Sequence, residues 1–269
     1  MEFTPLIKAF ASFFPPSKLS VKKSLPLTVM ILSPHPDDEC IIGSLPLRLL
    51  HENNAHVVNV AVTLGSKVER QEERMKELTH ACEYLDMEMI FLSDKWKNKE
   101  KELKSIIQKY QPHLILAPHL KDHHPTHIKT GELLKKVLSG MKTTTVLVAW
   151  TEFWGAMSKP NLMVEVPAEI LELQMKALSM HVGEVSRNPY HLRLPAWMMD
   201  NVRRGAELIS GKGEEAPRMA FAVLYQLQLF KNAKFGQAKI DGFLDAKKDI
   251  AQIFKLTLEA ASGSKTKVK

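Results

Sequence analysis

The sequence predicts an α/β fold: a mostly parallel sheet with helices on both faces, followed by a more helical C-terminal part. Two patterns carry this. Short apolar runs rich in β-branched residues alternate with longer stretches whose apolar positions recur every three or four residues, as in sheets built from βαβ units. Clusters of titratable residues then stand just after two of those runs, where open parallel sheets gather their ligands.

Residues 1–26 read as an N-terminal extension. Within it, Leu6 to Phe14 have the spacing of a short amphipathic helix, expected to dock on the domain rather than on a membrane. Strands are expected at Thr28–Ser33, Val57–Leu64, Met89–Leu92, Leu114–Ala117 and Thr145–Val148, with helices over 40–53, 69–86, 96–110 and 127–139 between them. Further on, Val166-Pro167-Ala168-Glu169 opens a helix to about Met180, with Pro near its start and an acid in its first turn. Helices over 195–209 and 215–229 follow, separated by Ser210-Gly211-Lys212-Gly213. Residues 27–258 are read as one domain and 259–269, which end in Lys265-Thr266-Lys267-Val268-Lys269, as a mobile basic tail.

A chain of 269 residues can bury a full core, and 45% hydrophobic with 25% charged residues excludes a largely disordered protein. The net charge of +7 does not predict a nucleic-acid partner, because basic and acidic residues are interspersed, as in Lys67 to Arg74, and no binding-module motif accompanies them. Cys40 and Cys82 are the only cysteines, which excludes a disulfide framework and suits two buried thiols in a reducing compartment. No run reaches the roughly 18 apolar residues a bilayer span needs, and the N-terminus lacks a basic leader region. The expectation is a cytoplasmic protein without an integral membrane segment; the sequence is compatible with a homo-oligomer.

The first cluster, Ser33-Pro34-His35-Pro36-Asp37-Asp38-Glu39, closes the apolar run Leu27 to Leu32. Carboxylates gathered at a strand end are costly to bury unless a cation or a proton occupies them. The second cluster, Pro118 to His127, follows Leu114–Ala117, and His113, His119, His123, His124 and His127 crowd this region out of 11 histidines in the chain. His113 reads as structural, and His119 and His123 as loop residues. A catalytic zinc takes about three ligands from histidines and carboxylates and keeps a position open. His35, Asp38 and one histidine of the second cluster supply that set, leaving Asp37 free to take a proton from water acidified by the ion. His124 and His127 are three apart, so a helix beginning nearby would turn both toward one pocket.

At these residues the sequence resembles the PIG-L or LmbE-like family of zinc-dependent N-deacetylases, whose signature is Pro-His-Pro-Asp-Asp-Glu followed much later by His-Pro-Asp-His and a Gly. The first motif stands unchanged as Pro34 to Glu39; the second appears as His124-Pro125-Thr126-His127, with Thr130-Gly131 after it. The resemblance implies a Rossmann-like fold and one Zn2+ per chain held by His35, Asp38 and His127, although another divalent metal would suit the same ligands. It also implies Asp37 as general base and His124 as the charged group that stabilises the oxyanion. Arg74, three residues before Glu77 and upstream of Ala81 and Leu85, matches the family's substrate-contacting Arg, with Arg70 and Glu73 as a rival pair.

Thr126 departs from the family pattern, which has an Asp there to orient the catalytic histidine; Asp122 is the acid placed to take over, and Glu39 is assigned behind the metal ligands. Met175 to His181 resembles a family segment but continues as Val182-Gly183-Glu184, so His181 reads as either a pocket residue or a packed helix end. Trp150, Phe153 and Trp154 read as core or as stacking residues at the pocket mouth, and Trp197-Met198-Met199 as a buried helix face.

The implied activity is removal of an N-acetyl group from an N-acetylglucosamine-type sugar or conjugate, a small-molecule substrate. Two alternatives stay open: a zinc amidohydrolase acting on a non-sugar N-acyl metabolite, and a non-catalytic zinc protein serving as sensor or assembly module.

Overall fold

The computed structural model describes residues 2–10, 15–93, 95–240 and 242–262. Helix α1 (Thr4–Phe10) precedes β1 (Thr28–Ser33), α2 (Asp38–Ile42), α3 (Ser44–Asn53), β2 (His56–Ala61), α4 (Gln71–Tyr84) and β3 (Glu88–Phe91). Next come α5 (Trp96–Tyr110), β4 (Leu114–Pro118), α6 (Pro125–Ser139) and β5 (Val146–Thr151). The remainder holds β6 (Leu162–Glu165), α7 (Ala168–Ser179), α8 (Val182–Val185), α9 (Tyr190–Gly205), β7 (Ala222–Lys231), β8 (Lys234–Gln237), β9 (Phe243–Leu244) and α10 (Ile250–Ser262).

The strands form one sheet in the order β3-β2-β1-β4-β5-β7-β6-β9, with β8 paired to β7. From β3 to β5 every pairing is parallel; β7 is antiparallel to both β5 and β6. This is the mixed, mostly parallel sheet flanked by helices that the sequence predicts. Its central strands β1, β4 and β5 are largely apolar along both faces because both are covered. On β1, Val29 and Ile31 belong to one core layer and Met30 and Leu32 to the other, and on β4 Leu114 and Leu116 alternate in the same way with Ile115 and Ala117. Each buried Val, Leu, Ile or Met among them contributes about 1.5–3 kcal/mol, and a one-residue slip would exchange the layers, so burial also sets the register.

Local chemistry explains most of the boundaries. The single helix expected over 40–53 is divided at Gly43, since Pro46 in the first turn of α3 has no N–H to continue the ladder from α2. Asn54 and Gln111 end α3 and α5 in the left-handed conformation. Near the N-terminus, α1 covers the first part of the expected helix and buries Ile7, while residues 11–14 lie outside the described residues. Residues 259–262 form the last turn of α10 rather than the start of a tail, and 263–269 lie outside the described residues.

One expected element is wrong in kind. Where a helix is read over 215–229, residues 215–221 are irregular and 222–229 belong to β7, a strand lying between β5 and β6. Ala222-Val223-Leu224-Tyr225 is apolar on both faces there, so its pattern carries no period that separates strand from helix.

Candidate active site

Because β1 and β4 are adjacent and parallel, the loops after them meet at one sheet edge. After Ser33 the chain turns through Pro34 to Asp37, and α2 begins at Asp38. Asp37 has φ 112°, a left-handed conformation that costs a side-chain-bearing residue about 1–3 kcal/mol. Its N–H donates to Glu39 Oε2 at 3.0 Å, and its carbonyl accepts the N–H groups of Cys40 and Ile41 at the start of α2. The N–H of His35 donates to Asp38 Oδ2 at 2.9 Å. Asp37, Asp38 and Glu39 are all buried.

The second loop ends in a helix cap. His124 is the residue before α6, and Pro125, with its preset φ and missing N–H, suits the first helical position. His124 Nδ1 accepts the N–H of Thr126 at 3.3 Å, while Asp122 Oδ1 accepts the N–H of His124 at 2.8 Å. His127 lies in the first turn and is buried. One turn on, Gly131 lets α6 approach the end of β4: a Cβ there would lie 2.6 Å from the Pro118 carbonyl oxygen.

The two loops bring three imidazoles together. Ring centres are 4.8 Å apart for His35 and His124, 5.3 Å for His35 and His127, and 5.0 Å for His124 and His127. Asp38 Oδ2 lies among them, 3.5 Å from His35 Nδ1 and 3.4 Å from His127 Nε2. Asp122 Oδ2 is 3.5 Å from the other nitrogen of His127. The acid expected to orient the ring of His124 therefore faces His127 and touches His124 only at its backbone. Thr126 supplies the contact to the His124 ring, through its own backbone N–H.

Protonation follows from these neighbours. Burial drives the Asp37 carboxyl well above the usual range, reinforced by the charges of Asp38 and Glu39. Burial would raise Asp38 as well, but the imidazoles of His127 and His35 outweigh it and hold that carboxyl well below the ordinary value. For His127, burial disfavours the charged ring, yet Asp38 and Asp122 prevail and push it up to about 10. His124 is lowered by burial and by its two imidazole neighbours.

The donor set fits a divalent cation. His127 Nε2 is buried without a hydrogen-bond partner and faces Asp38, a combination a metal ion would satisfy. Two imidazoles and a carboxylate are typical zinc ligands, and Asp122 behind His127 is the kind of carboxylate that fixes a ligating ring. His35, His124 and His127 also offer nitrogens all within 4.8 Å of one another, so His124 lies within reach of the same point.

These groups form the floor of a cleft of about 540 Å3. One wall is basic: Arg74 donates to the Pro36 carbonyl at 3.0 Å, and Gly65, at φ 91°, leaves room for its guanidinium. Arg74 and Arg70 both approach Glu184 Oε1, at 3.5 and 3.7 Å. Each has a buried nitrogen with no partner, Arg74 Nε and Arg70 Nη2. Sequence reasoning missed Glu184, Tyr190 and Trp96, which come from α8, α9 and α5 and carry no motif. Trp154 lines the cleft in edge contact with Tyr190, their ring centres 5.0 Å apart.

Other expected residues lie elsewhere. Trp150 is in the core on β5, its indole N–H donating to Gln228. Phe153 packs behind Trp154 against Trp197, and Met198 is buried as expected of a helix's inner face. His113 accepts the N–H of Thr28 at the opposite end of β4, and His119 contacts the Gly155 carbonyl. His123 is exposed. His181 is a packed helix-end residue, buried behind the cleft on Glu39.

The fold is an α/β domain with a mixed, mostly parallel sheet flanked by helices, and its candidate site lies at the ends of β1 and β4. Residues 30–138 match the family described as PIG-L: GlcNAc-PI de-N-acetylase. Among solved structures it is similar to N,N'-diacetylchitobiose deacetylase from Pyrococcus horikoshii, with 18% identity over 74% of this chain and 83% of that chain and a TM-score of 0.58. A zinc-inhibited form of teicoplanin deacetylase is 15% identical over 74% of this chain and 97% of that one, with a TM-score of 0.56. The 4-carboxy-2-hydroxymuconate hydratase from Pseudomonas putida is 14% identical over 75% and 95%, also at 0.56. At such identities the likeness is one of fold. No curated protein sequence matches the chain.

Proposed function

We propose that this chain is a metal-dependent N-deacetylase acting on an N-acetylglucosamine-type sugar or sugar conjugate, with His35, Asp38 and His127 holding one Zn2+. The observation that carries the reading is the division of labour between adjacent carboxylates: Asp38 faces two imidazoles, whereas Asp37 lines the same cleft and, among the described residues, forms an ion pair with neither of them. A bound zinc would acidify water and polarise the acyl carbonyl. The buried carboxylate of Asp37 is the base that takes the proton of the attacking water. His124, whose Nδ1 is occupied by the Thr126 N–H, presents Nε2–H toward the developing oxyanion and the leaving amine. Asp122 holds the ring of His127, and Arg74 lies where it can both brace the Pro36 turn and donate to a substrate oxygen.

The sugar preference draws on the family match, on the N,N'-diacetylchitobiose deacetylase of the same fold, and on the aromatic side chains of Trp154, Trp96 and Tyr190 that line the cleft. Among the described residues no helix is long and apolar enough to cross a membrane; the two free, buried thiols of Cys40 and Cys82 support the cytoplasmic location that is part of this proposal. The hydratase with this fold favours one rival, water addition to a small acid at the same metal site. The test pairs metal analysis with acetate release from N-acetyl sugars, non-sugar N-acyl compounds and unsaturated acids. Acetate from the sugars by zinc-loaded protein supports the proposal, while turnover restricted to another group removes it.

A further inference from the structure

Behind the cleft, Glu39 and His181 are completely buried and take no direct part in the proposed hydrolysis. Glu39 Oε1 accepts from His181 Nε2 at 2.7 Å and from the Cys40 thiol at 3.0 Å, while Oε2 accepts the Asp37 N–H at 3.0 Å. His181 Nδ1 is buried with no partner, and the Nε2 side of the ring meets Glu39 at 2.7 Å and, more distantly, the Cys40 sulfur at 3.8 Å, so Glu39 is its short hydrogen-bond partner. Among the described cleft residues other than glycine, Asp37 is the one with a left-handed backbone, and its amide is the one Glu39 grips.

We infer that His181 and Glu39 are positioning residues that lock the backbone of Asp37 in its left-handed conformation and so aim its carboxylate into the cleft. The inference rests on Asp37 being the proton acceptor. A carboxylate is the side chain this task requires, because its two oxygens can receive the imidazole N–H and the amide N–H together. A Gln at position 39 has one such oxygen and would turn its NH2 toward a donor at one end. The short helix α8, which His181 immediately precedes, supplies Glu184 to Arg70 and Arg74, and its Gly183 N–H donates to Glu77 Oε1 at 2.9 Å. One short segment therefore anchors both the base and the basic wall. Glu39, Cys40 and His181 also have the donor types of a metal site, but the 2.7 Å between Glu39 and His181 is a hydrogen-bond separation with no room for an ion between them.

Two measurements on the unmodified protein need no variant. In 15N NMR the His181 ring carries its proton on Nε2, with Nδ1 bare, and the Asp37 amide exchanges with solvent about 100-fold more slowly than an open loop amide. A ring protonated on Nδ1 alone, or an unprotected Asp37 amide, overturns the inference. In E39Q and H181A, Asp37 exchange accelerates and kcat for acetate release from N-acetylglucosamine conjugates falls about 30-fold, with KM and bound zinc little changed, as expected for a misaimed base. H181Q, which can still donate an N–H to Glu39, recovers most of the loss. Unchanged Asp37 exchange in E39Q, or a rise in KM at constant kcat, overturns it. If the unmodified protein releases no acetate, the hydrolytic reading fails by itself, and the exchange and tautomer measurements still decide the positioning.

Discussion

The two loops that build the cleft leave neighbouring parallel strands, yet they hold their functional groups by opposite means. The loop after β1 is buried and strained, and a carboxylate from the next turn of the chain grips the Asp37 amide. The loop after β4 is half open, with His124 exposed and held by ordinary helix capping. The difference teaches where precision is needed: the group proposed to move protons sits in the over-determined loop, and the donor proposed to meet the oxyanion sits where substrate and solvent arrive.

The sharpest way to break this comparison is to neutralise Asp37. D37N should lower kcat by about 10³-fold while the zinc content stays at one per chain, measured by acetate release beside metal analysis. Retained turnover would move the base elsewhere. On the open loop H124Q should cost less, about 10²-fold in kcat, because it weakens a donor to the oxyanion without touching the ion. Metal binding tests the junction of the two loops. His127, held up to about 10 by Asp38 and Asp122, must lose its proton to ligate zinc, so apparent affinity should rise with pH by up to about tenfold per unit below that value. Calorimetry in buffers of differing ionisation enthalpy should show proton release at pH 7; none would mean His127 does not ligate.

Stability separates the loops further. G131A forces a Cβ to within 2.6 Å of a backbone carbonyl, and denaturant unfolding should show a loss of about 1–3 kcal/mol. The smallest effect belongs to T126A. Since the Thr126 backbone, and not its side chain, contacts the His124 ring, kcat should change less than about threefold. A large loss would show that the hydroxyl does work at this position.

Much of this was legible in the chain because the relevant signals are local. β1 spans Thr28–Ser33 as read, and α5 spans Trp96–Tyr110, since an apolar run or a helical period needs no distant partner to declare itself. The clustering of His35, Asp38 and His127 followed from motif and strand order. Asp122 was picked out, yet its carboxylate faces His127 rather than the ring of His124, because loop geometry, and not sequence distance, aims a side chain. Glu184 and Tyr190 carried no signal, since a single acid or aromatic on a helix looks the same whether it faces solvent, core or cleft.

By itself, then, the sequence determined the parallel half of the sheet and the chemical types gathered at its edge, because hydrophobic period and residue identity are properties of a short stretch of chain. Only the tertiary structure decided that 222–231 is a strand, that His124 caps a helix through Nδ1, and that His181 reaches Glu39. Each of these depends on which surfaces meet across long separations, where burial and hydrogen-bond satisfaction overrule local pattern.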